Sequence, residues 1–216
     1  MTILKSGVLN VNNRNRKPYN LLHITSKENA QKILKNGFIP SRHNLSEYKN
    51  QWLGDGVYFW DGNDDNIVAF GKKMLKSKYN KNEMVEIYGS LKIEKNNHIN
   101  LEDITDSNNF CNFIKKINPE NAEIIINLIS ALRGKININS RELSKIGKFL
   151  GTNINLYLQV MTKNGYNIDM ISGYFYHGLD TFKLFGRNEK MKRQFCIKNI
   201  ELLNTNISNF KIYNIG

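Results

Sequence analysis

A short apolar run that breaks directly into a capped helix is the feature that most limits what this chain can become. From Asn20 to Gly37 it reads NLLHITSKENAQKILKNG. Leu21 to Ile24 has the length and branching of a strand. Thr25 or Ser26 can then cap a helix, because a hydroxyl at that position accepts a hydrogen bond from an otherwise orphaned helical N–H. Glu28 and Asn29 fall early in that helix, Ala30, Ile33 and Leu34 recur on its apolar face, and Gly37 supplies the stop. A lone histidine, His23, is thereby left in the apolar strand just ahead of the helix. The next strong signal is LGDGVYFWDG, from Leu53 to Gly62, which puts a strand over Gly56–Trp60 behind glycines that permit close backbone approach.

The segments around these two signals have readable periods. Phe38 to Trp52 reads as an irregular loop. Asp65 to Lys78 reads as a helix carrying Ile67, Val68, Phe70 and Leu75, and Glu83 to Ile93 (EMVEIYGSLKI) alternates as a strand does. From Leu101 to about Gly165 the spacing turns helical, with breaks at Gly134 and Gly151. Strands resume over Asn167–Tyr176 and Gln194–Leu203, and a last one runs from Phe210 to Ile215. No repeat and no Pro/Gly/Ser-rich linker divides the chain. Its 216 residues suit one substantial core, so the expectation is a single α+β domain over residues 1–216 with a helical insertion at about 101–165.

No run approaches the roughly 18 apolar residues of a membrane span, and the N-terminal MTILKSGVLNVNNRNRKPYN lacks the pattern of a secretory signal. A soluble, cytoplasmic protein with no membrane partner is expected. Thirty-one Lys and Arg stand against 19 Asp and Glu, a formal charge of +12 that favours polyanionic partners. The abundance of Asn, Ile and Lys also fits the compositional bias of an AT-rich genome, so both explanations of the charge stay open.

Several chemistries find no support. Cys111 and Cys196 lie far apart without metal-type spacing, and reduced thiols are expected. His23, His43, His98 and His177 show no paired spacing, which argues against a metal centre. There is no Gly-x-Ser-x-Gly, and the GDG of residues 54–56 lacks both Walker and Rossmann context.

LLHITSKENAQKILKNGFIPS followed by LGDGVYFWDGNDDNIVAFGKK resembles the opening half of the ADP-ribosyltransferase superfamily in its His-Tyr branch, which contains diphtheria-toxin-like and poly-ADP-ribose-polymerase-like enzymes. The pieces occur in the family's order: His23, Thr25, Ser26, Gly37, Gly54, Gly56, Tyr58, Phe59, Ala69 and Phe70. The match covers the first third of the chain closely and the last fifth loosely. It implies an ADP-ribosyltransferase-like split antiparallel β-sheet core with flanking helices, and NAD as co-substrate without a metal. It further implies that His23 bonds a ribose hydroxyl and that Tyr58 and Phe70 sandwich the nicotinamide. Backbone at Ile24 would meet the carboxamide, with Thr25 beside it in the cofactor site and Gly54 and Gly56 allowing close approach. Phe70 also belongs to the apolar face formed with Ile67 and Val68.

The family's late-strand glutamate orients the nicotinamide ribose and stabilises charge developing at its anomeric carbon. Here that position reads Gln194, a departure: an amide accepts a hydroxyl's hydrogen bond but carries no charge. Glu189 could supply a carboxylate from the preceding loop, while Arg187, Lys190, Lys192 and Arg193 of GRNEKMKR could hold a phosphate backbone. The resemblance thus implies an enzyme that cleaves NAD and passes ADP-ribose to a macromolecule. Charge favours RNA or DNA as the acceptor over protein. Small stand-alone enzymes of this kind resemble bacterial toxins or phage-defence effectors, with an antitoxin protein as a further partner. Two alternatives stand beside this: a catalytically silent domain binding NAD, ADP-ribose or RNA, and an NAD-dependent RNA 2'-phosphotransferase.

Overall fold

The computed structural model describes residues 15–42, 51–75, 83–120, 122–124, 126, 140–176 and 191–214. Strand β1 (Arg16–Ser26) runs without a break into helix α1 (Lys27–Asn36). Ser26 is the N-cap, its hydroxyl accepting from the Asn29 N–H, and Gly37 at φ 89° ends the helix by donating to the Ile33 carbonyl. That left-handed φ explains the glycine. The strand is longer than its apolar run because its first residues pair with β3 and are exposed at their side chains.

The remaining elements are β2 (Val57–Asp61), α2 (Ile67–Leu75), β3 (Met84–Glu94), β4 (His98–Asn100), α3 (Ile104–Ile117), α4 (Ser140–Lys163), β5 (Met170–Tyr176), β6 (Met191–Ile197), α5 (Ile200–Thr205) and β7 (Phe210–Asn214). The fold is α+β. One seven-stranded sheet has the order β4-β5-β6-β2-β1-β3-β7. Beside the expected antiparallel core, the sheet is mixed: β4 and β5 are parallel, and every other pair is antiparallel. A parallel neighbour needs a long crossover connection, and the stretch holding α3 and α4 is that connection.

One correction concerns the strand expected over Gln194–Leu203, which ends at Ile197. The Asn199 side chain accepts from the Leu202 N–H and so caps α5, whose Leu203 is fully buried. Capping and one-turn spacing of apolar residues outweigh the run's β-branched start.

The registers assign every central side chain to a face. Leu22 pairs with Trp60, Trp60 with Gln194, Tyr58 with Cys196 and Ile171 with Cys196, so these share one face. Leu21, Phe59, Phe195, Ile87 and Met170 share the other. On the Phe59 face a core forms with Ala30 of α1, Phe38, Leu203 and Phe210. On the Trp60 face two separate clusters form. One joins α3 and α4 (Phe110, Ile114, Leu150, Ile154, Tyr157) to Ile171 and Cys196; the other joins α2 (Ile67, Phe70) to Leu22 and Ile24. The crossover helices are therefore a layer of the same core.

A polar chain crosses the Phe59 face. The Tyr19 hydroxyl lies 2.8 Å from His98 Nδ1, His98 Nε2 lies 2.8 Å from Ser172 Oγ, and Ser172 donates to Asn100 Oδ1 at 3.2 Å. With Ser172's proton committed to Asn100, the neutral imidazole donates from Nε2 and accepts from Tyr19 at Nδ1. Burial, then Arg193 and Lys17, lower the His98 pKa to about 4. No helix among the described residues is long and apolar enough to cross a membrane.

Candidate functional site

β1 and β2 pair at only two positions, Leu21 with Asp61 and Leu22 with Trp60. Past Leu22 the ladder stops, and the imidazole of His23 takes over: its Nδ1 lies 3.0 Å from the Tyr58 carbonyl oxygen. A carbonyl can only accept, so Nδ1 carries the proton, and in the neutral ring the lone pair is on Nε2. The ring is held edge-on by Phe38 at 6.0 Å and Phe59 at 5.8 Å. Ile24 and Thr25 follow as buried residues, their backbones paired with Glu86 and Val85 of β3.

The turn before β2 is fixed from both sides. Gly54 has φ 73°, and a Cβ there would overlap Asn155 of α4 and come within 3.0 Å of the Gly151 carbonyl oxygen. At Gly56 a Cβ would lie 2.5 Å from Cys196 Sγ and 2.6 Å from the Ile197 carbonyl oxygen. The backbone approaches that these glycines permit are thus to α4 and β6. Asn155 Oδ1 accepts from the Asp55 N–H at 2.8 Å, and its amide donates to Asp55 Oδ1 at 3.1 Å. Lys198 donates to the Leu53 and Asp55 carbonyls, and the Cys196 thiol to the Asp55 carbonyl at 3.5 Å. Ser41 and Gly56 exchange backbone bonds at 2.9 and 3.0 Å.

Tyr58 completes the clamp. Its hydroxyl donates to the Gly54 carbonyl at 2.7 Å and accepts from the Leu53 N–H at 3.0 Å. Burial pushes the phenol well above its ordinary pKa and raises the Cys196 thiol too, so both stay protonated at neutral pH. Tyr58 packs against the α3–α4 cluster, whereas Phe70 lies in the α2 cluster with its ring 5.4 Å from Trp60. Trp60 of β2 packs against the α2 cluster.

Gln194 is buried within β6, three residues after the strand's start, with Trp60 on one side and Gly173 on the other. Its side chain shares the face of Tyr58 and Trp60, while His23 reaches the β1–β2 opening from the opposite face. The structure therefore brings the three sequence-singled strands together as neighbours, β6-β2-β1, without stacking their three side chains on one surface. Lys192, buried on Gln194's face, donates to Asp64 at 2.7 Å and lies 5.9 Å from the centre of the Phe70 ring. Arg193, on the other face, lies 2.8 Å from Glu102 and 3.8 Å from Asp61, with its guanidinium 5.0 Å over the Phe195 ring. Both cations are thus engaged with acidic side chains. Arg187, Glu189, Lys190 and His177 lie outside the described residues.

A cavity of about 420 Å³, lined by Arg16, Lys92, Glu94, Asn97, Asp169 and Asn199 among others, contains none of the residues around the β1–β2 opening. No group of three or more His, Cys, Asp or Glu suited to a metal ion occurs among the described residues. Sequence reading missed Asn155, Lys198, Asp64 and Glu102, because each makes its contact with a residue distant along the chain. Comparison with protein-family models, curated proteins and solved structures yields no match.

Proposed function

We propose that the chain is an ADP-ribosyltransferase-like enzyme that cleaves NAD and transfers ADP-ribose to a macromolecular acceptor, with nucleic acid preferred over protein. The observation that carries this reading is the early end of the β1–β2 ladder beside His23, with β6 and its Gln194 on the other side of β2. The β1–β2 ladder ends where the motif residues lie, and in this reading the dinucleotide binds along that break. In this reading His23 Nε2 accepts from a ribose hydroxyl, and Tyr58 and Phe70 border the nicotinamide. Gln194 accepts from a hydroxyl of the nicotinamide ribose. The bond from the anomeric carbon to nicotinamide breaks with its electron pair leaving on the ring nitrogen. An acceptor nucleophile then bonds that carbon and loses its proton. The charge of +12 supports a polyanionic acceptor.

The silent-binder reading is favoured by one specific fact: Gln194 supplies no negative charge to an oxocarbenium-like state. Nicotinamide release from NAD by the purified protein, compared with His23→Ala and Gln194→Ala, separates the two. The transferase reading requires release that both substitutions reduce. Binding of NAD without release supports the silent domain.

A further inference from the structure

We propose that Asn155 of α4 is a positioning residue that sets His23 through the glycine turn, so that the crossover helix is a working part of the site. The inference rests on the reading of the β1–β2 opening as the NAD site. A continuous set of bonds runs from helix to imidazole. Asn155 holds Asp55 twice, at its backbone N–H and its carboxylate. The turn that Asp55 centres presents the Gly54 carbonyl and the Leu53 N–H to the Tyr58 hydroxyl. The Tyr58 carbonyl in turn receives His23 Nδ1.

Three features make this more than ordinary packing. First, α4 is anchored to the sheet independently, through Leu150, Ile154 and Tyr157, so Asn155 is presented from a rigid element. Second, Gly54 lies so close to Gly151 and Asn155 that the turn has no room to move toward α4. Third, on the other side the same turn is held by Cys196 of β6, the strand of Gln194, and by Lys198 just after it. The turn thus ties α4 to the start of β2 and to the end of β6 by polar bonds, and it supports His23 just past the Leu22–Trp60 pair at which the β1–β2 ladder stops.

The test uses the full-length protein with Asn155→Ala, Asn155→Asp and the double variant Asp55→Asn/Asn155→Asp. Asn155→Asp places two carboxylates against each other. The double variant restores a donor and an acceptor with their roles exchanged. Backbone amide exchange across residues 53–57 and the ¹⁵N shifts of the His23 ring are read alongside NAD turnover. We expect exchange at Asp55 to rise about tenfold in both single variants. The His23 ring shifts should move, and KM for NAD should rise about tenfold with a smaller change in kcat. All of these should return toward wild type in the double variant. Unchanged exchange and unchanged His23 shifts in Asn155→Ala, or a double variant no better than Asn155→Asp, would overturn the proposal. Absence of nicotinamide release from the wild-type protein would instead overturn the transferase reading, and the exchange and ring shifts would still decide whether Asn155 sets His23.

Discussion

Acidification from neutral pH should cost this fold a share of stability that traces to one side chain, His98. Its two ring nitrogens lie 2.8 Å from the Tyr19 hydroxyl and from Ser172 Oγ, and its pKa is lowered from 6.5 to about 4 by burial, then by Arg193 and Lys17. In the unfolded chain the imidazole takes up a proton near 6.5; in the folded chain it resists until about 4. Between those values the unfolded state binds more protons, so stability falls as the pH falls through this window. The full gap corresponds to about 3 kcal/mol, a large part of the ~5–15 kcal/mol that holds a typical domain together. Glu102 works in the opposite direction, because burial raises its carboxyl and favours the folded state on the acid side. The informative quantity is therefore a difference between proteins. His98→Gln keeps one donor and one acceptor for Ser172 and Tyr19 but cannot titrate. Urea unfolding of both proteins at several pH values between about 7 and 4.5 should show the wild type losing about 2–3 kcal/mol more than the variant. Parallel losses would refute the assignment of a half-buried, neutral His98.

Tyr58→Phe leaves the Leu53 N–H and the Gly54 carbonyl without their hydroxyl partner, and should destabilise by about 1–3 kcal/mol in chemical denaturation. A loss near zero would mean that the hydroxyl does not hold the turn. Gly54→Ala should cost at least ~1–2 kcal/mol from its positive φ alone, with the collision against Asn155 added. A variant as stable as wild type would contradict the turn's conformation. Gln194→Glu should increase NAD cleavage, measured as nicotinamide release; an unchanged or lower rate would argue against Gln194 occupying the place of the family glutamate.

Local signals were the legible ones. The cap at Thr25 or Ser26, the Gly37 stop and the alternation of Glu83–Ile93 are written in neighbouring residues, and the structure has the cap at Ser26, the stop at Gly37 and the strand one residue on, at Met84–Glu94. β4 was not legible: three residues, His98–Asn100, are too few for a period, and they become a strand only because β5 lies alongside. The end of β6 was misread because Ile200, Leu202 and Leu203 suit a strand as well as a helix, and the Asn199 cap decides between them. At the site, the sequence pointed to His23, Tyr58 and Gln194 but not to the face each side chain occupies. Face depends on register, which one residue's slip inverts. Nor could it show that the glycines of the turn face α4 and β6, since Asn155 and Cys196 lie far along the chain.

The central claim is tested most directly by incubating the protein with NAD labelled on its adenylate half, together with cellular RNA, DNA or protein as separate acceptors. Nicotinamide release and label transfer are scored for wild type, His23→Ala and Gln194→Ala. The account predicts that release is coupled to labelling of one fraction, most strongly a nucleic acid, and that both signals fall together in the His23 variant. Intact NAD after prolonged incubation with every fraction, from a protein shown to be folded, would contradict it.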